Sequence, residues 1–293
     1  MSEKLYNLVN KTLESMNSQV LEMQSFYRYH KITSTDRRIL NNNLKLKNKF
    51  VGRRCFVLGN GPSLKELDLS LLKEEQVFTV NQLMRDERFP QLSTNFHIFA
   101  DPQYYQMDPE NKYHLKLIEM IRNLGKGDNK TEVFFPIEAR EFIEKMQLDN
   151  LSINYFLVGC NMYENYKKEI DYTKGIPGFY TVVQYAISLA IYCGFSEIYL
   201  LGCDMTGYKQ MERRILGAQD TEHSYTMTKE ELQKGLHYEE LSCETFFNGY
   251  AKMFVDYRRL YEYTQKRKIK LINLTKGGLL DSIPRQSFET LLY

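Results

Sequence analysis

The sequence predicts an α/β protein in which a mostly parallel sheet carries helices on both faces. Short apolar runs of strand length alternate along the chain with segments of helical spacing. Alternation of this kind is typical of strand–helix–strand crossovers, which place their strands parallel in one sheet. In addition, glycine or polar residues directly follow several predicted strands, at the edge where parallel sheets bind ligands.

Seven strands are predicted, over residues 55–58, 76–80, 96–100, 132–135, 155–158, 197–201 and 270–274. Helices are predicted over residues 111–124, 137–146, 180–193 and 243–267. Residues 175–178 combine two glycines with a proline and are predicted to form a turn. Residues 209–240 are polar and without periodicity, which predicts a long loop that could act as a lid.

Residues 1–50 predict an N-terminal helical extension, and residues 51–293 form the main domain. Leu5, Val9, Leu13 and Met16 recur at helical spacing within the extension. Packing against the main domain is the favoured interpretation, and docking to a partner or a membrane is the alternative.

Composition narrows the classes of function. The chain has 293 residues, of which 43% are hydrophobic, and its 39 basic and 37 acidic residues give a net charge of +2. This balance argues against a nucleic-acid partner. The five cysteines are widely spaced and lie mostly in apolar runs, as expected of free thiols in a reducing compartment. The polar N-terminus and the absence of a long apolar run predict a cytoplasmic protein, with contact to the inner membrane face left open.

The segment around Gly59, Asn60 and Gly61 is the first candidate site. It follows an apolar strand, and Pro62 and Ser63 can open a helix there. Unpaired N–H groups at a helix start attract anions, so a nucleotide phosphate is expected at this turn. The alternative is an ordinary turn in which glycine is needed for steric reasons alone.

Four further features are expected at the same edge of the sheet. Asn81, Asp101, residues 202–204 and residues 275–278 each follow a predicted strand. Asn81 can read a ribose or a base, because its amide both donates and accepts. Asp101 and Asp204 could bind Mg²⁺, orient a hydroxyl or cap a turn.

Four segments together resemble a known family: LGNGPSLKELDLSLL, TVNQ, ADPQYY and GIPGFYTVVQYAISLAIYCGFSEIYLLGCDM. The chain resembles the bacterial sialyltransferases of glycosyltransferase family 42 and the domain shared by 6-hydroxymethylpterin diphosphokinase-like proteins and Maf-type glycosyltransferases. The resemblance spans roughly residues 53–285. It implies a Rossmann-like, GT-A-variant nucleotide-sugar fold, with residues 51–293 as the catalytic domain.

The resemblance also implies site residues. Gly59, Asn60, Gly61 and Asn81 match positions that contact a cytidine nucleotide donor, and Ser63 lies beside them. Lys174 stands where the sialyltransferases have an arginine, and Gly178 closes the matching turn. Asp101 matches the diphosphokinase-like and Maf-type pattern instead of the sialyltransferase asparagine. Tyr225 resembles a tyrosine that binds the donor phosphate in the sialyltransferases. Independently of the resemblance, Thr275, Gly277 and Gly278 follow the last predicted strand and could close over the nucleotide or simply turn the chain.

The position of the catalytic base departs from the family pattern. The family's histidine position falls near Tyr250, which is a poor base at neutral pH. His237, and then His223, are expected to take that role from the lid, since a histidine there can deprotonate an acceptor hydroxyl. Asp204 completes the predicted catalytic set.

Three functions follow from these features. The first is transfer of a sugar, from a CMP-linked acidic sugar such as a nonulosonic acid, to a surface-glycan or protein acceptor, with no cofactor required. The second is a Mg²⁺-dependent 6-hydroxymethylpterin diphosphokinase with Asp101 and Asp204 as metal ligands. The third is a nucleotide-binding module without catalysis. Oligomerisation is left open.

Overall fold

The structure is a computed structural model that describes residues 3–108, 110–124, 131–148, 150–209 and 242–291. Within these ranges one sheet of eight parallel strands forms the centre of the molecule, with strand order β6-β5-β4-β3-β2-β1-β7-β8. The strands are β1 (Arg54–Leu58), β2 (Val77–Val80), β3 (Thr94–Ile98), β4 (Glu132–Pro136), β5 (Ser152–Asn161), β6 (Gly175–Gly178), β7 (Glu197–Leu201) and β8 (Lys270–Asn273). The predicted α/β class is therefore confirmed, and all the neighbouring strands pair in parallel.

Six α-helices are described, and the predicted long helices are confirmed among them. They are α1 (Glu3–Lys31), α2 (Ser34–Asn41), α3 (Lys112–Asn123), α4 (Arg140–Met146), α5 (Val182–Tyr192) and α6 (Cys243–Lys266). The expected helix after residues 59–61 is only a 3-10 segment, Pro62–Glu66. It is too short to carry the helix dipole on which the predicted phosphate site depended.

The turn predicted at residues 175–178 is wrong, because these residues form the edge strand β6. Leu157 and Val158 of β5 pair with Gly175 and Ile176 in parallel register. Glycine and proline are tolerated in an edge strand, since one side of its ladder has no partner to satisfy.

The strands are buried on both faces, which explains their continuous apolar runs. Cys55 and Val57 of β1 pack towards α5, in the cluster that also contains Leu260 of α6. Phe56 and Leu58 point to the opposite face, in a cluster built from the 3-10 segments after β1 and β2. On that same side, residues of α3 and α4 cover β4 and β5.

The helix α5 forms where the sequence is most apolar, and it is buried from Val183 to Tyr192. A capping box starts it: the Thr181 side chain accepts from the backbone N–H of Gln184, and Gln184 reaches back to Thr181. This fixes the start of α5, and with it Tyr180 and Thr181, at the carboxyl edge of the sheet.

The order of the strands places a topological switch point between β1 and β7. From β1 the chain proceeds outward through β2, β3, β4 and β5 to β6, and then returns to the other side of β1 as β7. The connections that leave the carboxyl ends of β1 and β7 therefore diverge and open a crevice. Ligands of open parallel sheets bind in such crevices.

Candidate functional site

The two turns at the switch point are joined by backbone hydrogen bonds. The N–H of Gly59 donates to the carbonyl of Leu201, and the N–H of Gly61 donates to the carbonyl of Gly202, each over 2.8 Å. Two of the N–H groups predicted to meet a phosphate are therefore used to hold β1 and β7 together.

Asp204 occupies the place predicted for an anion. It is buried, with 6% of its surface exposed. One carboxylate oxygen accepts from the backbone N–H of Ser63 over 3.2 Å, and the other accepts from the Ser63 hydroxyl over 2.8 Å. The carboxylate thus caps the 3-10 segment, which corrects the expectation that this terminus is open to a ligand.

The glycines are required because these turns touch. A Cβ at Gly61 would lie 2.6 Å from the carboxyl carbon of Asp204 and from the carbonyl oxygen of Gly202. A Cβ at Gly59 would lie 3.1 Å from the carbonyl carbon of Gly202. The steric explanation left open by the sequence is the one that the structure supports for the glycines themselves.

Residues 275–279, which follow β8, pack against the turn at residues 202–204. Cys203 donates its N–H to the Thr275 hydroxyl over 3.0 Å. Leu279 donates to the carbonyl of Asp204 over 2.8 Å. Gly277 and Gly278 have φ of 73° and 78°, and a Cβ at Gly278 would lie 2.8 Å from the Cα of Asp204. Gly278 therefore packs against Asp204, whereas a Cβ at Gly277 would meet nothing within 4 Å. The predicted contact of both glycines with a donor stays a prediction.

A pocket of about 750 Å³ opens beside these turns, within the size range of small-molecule sites. One wall is made by residues 59–61 and 202–207, and another by Tyr180 and Thr181 at the start of α5. The third wall is the first half of α6, which presents Phe246, Asn248, Tyr250, Lys252, Met253 and Tyr257.

The α6 wall is aromatic and carries one cation. The rings of Phe246 and Tyr250 are stacked at 5.9 Å, and the Tyr250 hydroxyl donates to the Met205 carbonyl. The Lys252 ammonium lies 5.2 Å from the centre of the Tyr180 ring. Interaction with Tyr180 raises the pKa of Lys252, so this lysine is charged at neutral pH.

Sequence reasoning reached this wall only at Tyr250, near the family's histidine position, and missed the rest of it. Phe246, Tyr250, Met253 and Tyr257 follow each other at steps of four, three and four residues, the spacing of one helix face. That spacing was the available signal. This spacing is the same for a helix face that packs against the core and for a helix face that lines a pocket, so the sequence could not tell the two apart.

Behind the wall, Asp256 is a buried carboxylate that lies next to the pocket residues. Burial raises its pKa to about 6, against the opposing effect of Arg259, whose guanidinium is 3.5 Å away. The main chain of Tyr180 also hydrogen-bonds it. Asp256 therefore links α6 to the segment that leads into α5.

Two asparagines at neighbouring strand ends have buried side-chain oxygens without a hydrogen-bond partner in the described structure. They are Oδ1 of Asn60, after β1, and Oδ1 of Asn81, after β2. Asn60 borders the pocket, whereas Asn81 lies outside its described lining. A buried amide oxygen of this kind is suited to accept a hydrogen bond from a ligand.

Asn81 is held in an unusual conformation by a buried histidine. Its φ is +46°, in the left-handed region. Nε2 of His97 lies 2.9 Å from the Asn81 carbonyl, and Nδ1 lies 2.7 Å from the Thr79 hydroxyl. Complete burial lowers the pKa of His97 to about 3. The imidazole is therefore neutral and donates from Nε2 to Asn81.

Asp101 and Asp204 are not brought together. Asp101 follows β3 and caps the next turn, accepting from the N–H of Gln103 over 3.0 Å. Three inter-strand steps separate the ends of β3 and β7, which amounts to about 14 Å. A single Mg²⁺ needs its ligands at about 2.1 Å, so one ion does not reach both carboxylates in this arrangement.

Lys174 and Gly178 are also apart from the pocket. Lys174 precedes β6 and so lies at the amino edge of the sheet, opposite the edge that carries Gly59; its ammonium is 3.5 Å from Asp171. It borders a different cavity, of about 490 Å³, between α1 and β5–β6. The prediction of a phosphate contact for Lys174 is corrected, because a strand replaces the expected turn. Gly178 ends β6 and packs against Val158.

The predicted bases His223 and His237 and the predicted donor residue Tyr225 lie outside the described residues. The same holds for most of the predicted lid, residues 209–240, of which only Lys209 is described. No helix in the described ranges has the length and apolar character needed to cross a bilayer.

Fold and site together define a Rossmann-like α/β protein with a pocket at its topological switch point. A family model described as "6-hydroxymethylpterin diphosphokinase MptE-like" matches residues 32–210, which is more than half of the chain. The chain belongs to this MptE-like family. The match includes β1 to β7 and both switch-point turns, but it ends before α6.

Among solved structures, the chain is similar to the Maf glycosyltransferase from Magnetospirillum magneticum AMB-1. The two share 14% sequence identity with a TM-score of 0.46, and the alignment covers 87% of this chain. This chain spans 38% of the length of that protein. No curated protein sequence matches the chain.

Proposed function

We propose that the protein is a glycosyltransferase that binds a nucleotide-linked sugar in the switch-point pocket and transfers the sugar to an acceptor hydroxyl. The observation that carries the proposal is the position of the pocket, at the divergence of the β1 and β7 connections. The pocket there combines a buried amide oxygen, Asn60 Oδ1, with an aromatic wall and the ammonium of Lys252.

Each of these groups suits a part of such a donor. The amide of Asn60 can hydrogen-bond ribose hydroxyls or a base amino group. The faces of Phe246 and Tyr250 can pack against an apolar ring face. The Lys252 ammonium can neutralise a phosphate that leaves with the nucleotide, a role first predicted for Lys174.

The proposed reaction is a direct displacement. The acceptor oxygen attacks the anomeric carbon, the bond to the donor phosphate breaks, and a base takes the acceptor proton. His237 and then His223 remain our candidates for the base, since neutral imidazole has a suitable pKa. A CMP-linked acidic sugar as donor, and a glycan or glycolipid as acceptor, are the finer parts of the proposal.

The family name favours a second candidate, a diphosphokinase that acts on a pterin alcohol. In that reaction a diphosphate would pass from ATP to the alcohol. The separation of Asp101 and Asp204 weakens the metal site expected for it, while the pocket itself suits either nucleotide.

A thermal-shift panel separates the two candidates. CMP, UDP, GDP and ATP are each added with and without Mg²⁺, since a ligand that binds only the folded state raises the melting temperature. The proposal expects a shift with CMP that does not need Mg²⁺, followed by transfer or hydrolysis of a CMP-sugar. A shift with ATP that needs Mg²⁺, together with AMP release from ATP and a pterin alcohol, would replace it by the diphosphokinase.

Binding is assigned to this pocket by a matched pair of variants, Lys252→Ala and Lys174→Ala. Both lysines are exposed, but only Lys252 borders the switch-point pocket. Nucleotide shifts reduced by Lys252→Ala alone support the proposal. Shifts reduced by Lys174→Ala alone contradict it.

A further inference from the structure

The N-terminal helix α1 carries an exposed heptad repeat. Seven of its large apolar residues recur at alternating steps of three and four along the whole helix: Tyr6, Val9, Leu13, Met16, Val20, Met23 and Tyr27. All seven side chains are between 42% and 71% exposed. This is the a/d pattern by which helices form coiled coils, sustained over three heptads.

The opposite face of α1 is the one attached to the domain. Ser25 fits against Gly159 and Gly175, where a Cβ at Gly159 would lie 2.9 Å from the Ser25 Cβ. Glu22 accepts from the Tyr163 hydroxyl over 2.5 Å and pairs with Lys168 over 3.1 Å. The heptad residues therefore point away from the domain.

The first half of α1 has little to stabilise it within one chain. Residues 11–17 are all exposed, and the side-chain hydrogen bonds of Thr12 and Ser18 stay within the helix, to the carbonyls of Leu8 and Ser15. Helices of about 15 residues are marginal in water by themselves, and in proteins they are stabilised by packing of their apolar face. A partner for the heptad face would supply that packing.

The charges near this face favour another protein helix over a membrane. Residues 3–17 contain two acidic and two basic residues, Glu3, Glu14, Lys4 and Lys11. Helices that lie on anionic membranes are rich in lysine and arginine on the polar face. The positions that flank the heptad seam are mostly neutral, with Asn10, Asn17 and Gln24 on one side and Thr12 and Gln19 on the other.

We propose that α1 pairs with α1 of a second copy of this chain, as an antiparallel two-helix coiled coil that makes the protein a homodimer. Neutral flanking positions allow two identical helices to meet without repulsion between like charges.

The antiparallel direction follows from charge and size. In that direction Glu3 faces Lys31 of the second copy at both ends of the seam. The core layers then pair Val9 with Tyr27, Leu13 with Met23 and Met16 with Val20, so a small residue meets the large aromatic one. In the parallel direction Tyr27 would meet Tyr27 of the second copy, and no opposite charges would face each other.

The first test is the molar mass of the full chain in solution, by light scattering or sedimentation across the micromolar range. The expected mass is that of two chains. Met16→Glu with Val20→Glu removes the central layer and should give a monomer with unchanged melting behaviour of the main domain. Because Met16 and Val20 are 59% and 53% exposed within one chain, the variant loses little intramolecular packing.

The control carries the same change in charge on another face of the helix. Lys11→Gln with Ser15→Glu removes one positive charge and adds one negative charge at exposed positions outside the seam, which lowers the net charge by two, and this variant should remain dimeric. A wild-type chain that is monomeric throughout the concentration range overturns the proposal. So does a Met16→Glu/Val20→Glu variant that stays dimeric.

The direction of the helices is tested by charge reversal. Lys31→Glu should weaken the dimer, and adding Glu3→Lys should restore it at low salt, since the two residues face each other only in the antiparallel pair. Failure of the second change to restore the dimer contradicts this direction. A monomeric chain whose α1 binds phosphatidylserine vesicles, but not phosphatidylcholine vesicles, would assign the heptad face to a membrane instead.

This inference does not depend on the proposed transferase activity. The seam and the switch-point pocket share no residues, so loss of the dimer and loss of nucleotide binding are separate outcomes.

Discussion

Glycines are packed tightly in two regions of the sheet, and the two regions use them differently. At the switch point, Gly59 and Gly61 let two backbone turns touch, and a Cβ there would meet backbone and a buried carboxylate. At the β5–β6 edge, Gly159 and Gly175 let helix α1 approach, and a Cβ on either would first meet the Ser25 side chain, with the backbone of the other glycine at 3.2 to 3.4 Å. The first contact shapes a pocket, whereas the second attaches a helix. The same residue type therefore builds a site in one region and an attachment surface in the other.

The largest effect is expected for Gly61→Ala. The new methyl group overlaps the Asp204 carboxylate and the Gly202 carbonyl, so overpacking should cost about 3 kcal/mol of the free energy of unfolding. Urea unfolding measures the change. Gly249→Ala is the control, because a Cβ there meets nothing within 4 Å and alanine favours the helix. Equal stability of Gly61→Ala and wild type would show that the turns are not packed as described.

A second effect concerns His97, the buried histidine that holds Asn81. Its pKa is lowered from 6.5 to about 3. Between pH 6.5 and about 3, His97 therefore binds a proton in the unfolded chain but stays neutral in the folded chain. Stability should fall as the pH decreases, by about 1.4 kcal/mol per pH unit and roughly 2 kcal/mol from pH 6.5 to 5.

The variant His97→Gln tests this dependence by its difference from wild type. Glutamine keeps an N–H for the Asn81 carbonyl but does not titrate, so the difference in unfolding free energy should change with pH at that slope. Asp256, whose pKa is raised to about 6, acts with opposite sign between pH 3.8 and 6, but it is present in both proteins and cancels. A pH-independent difference would refute the neutral assignment. His97→Phe, which lacks the donor, should additionally weaken any ligand contact made by Asn81.

Gly159→Ala should have a smaller effect than Gly61→Ala, of about 1 kcal/mol. Its Cβ would meet the Ser25 side chain of a surface helix, which can shift. The Cβ at Gly61 would instead meet backbone in a turn that hydrogen bonds hold in place. The double variant with Ser25→Gly should recover most of the loss, because the clashing atoms are removed. Calorimetry of both variants checks this, and a loss equal to that of Gly61→Ala would erase the distinction between the two regions.

The smallest effect is expected for Lys252→Ala, because the lysine is exposed and water screens its charge. We expect a roughly three- to fivefold weaker affinity for a nucleotide with a phosphate, and no change for the nucleoside. Titration calorimetry with both ligands measures it. Equal losses for nucleotide and nucleoside would show that Lys252 does not interact with the phosphate.

Much of the fold was predictable because each strand is buried on both faces. An apolar run of four or five residues, bounded by polar or glycine residues, identified β1, β2, β4, β7 and β8 at nearly their observed bounds. The edge strand β6 was missed, since Gly175, Pro177 and Gly178 are typical of turns. Only pairing with β5 makes these residues a strand, and a local pattern contains no information about that partner.

The sequence by itself determined the α/β class, the parallel sheet and the concentration of glycine and polar residues at its carboxyl edge. These properties follow from local periodicity and from the short range of backbone sterics. It also contained the heptad repeat of α1, whose spacing is independent of the rest of the chain.

Only the tertiary structure decided which of those residues meet. It placed Asp204 on Ser63, where a phosphate was expected, and separated Asp204 from Asp101 by three strands. It moved Lys174 to the opposite edge and brought Lys252 to the pocket instead. The physical reason is that strand order and the packing of distant turns are set by long-range contacts, which adjacent residues do not encode.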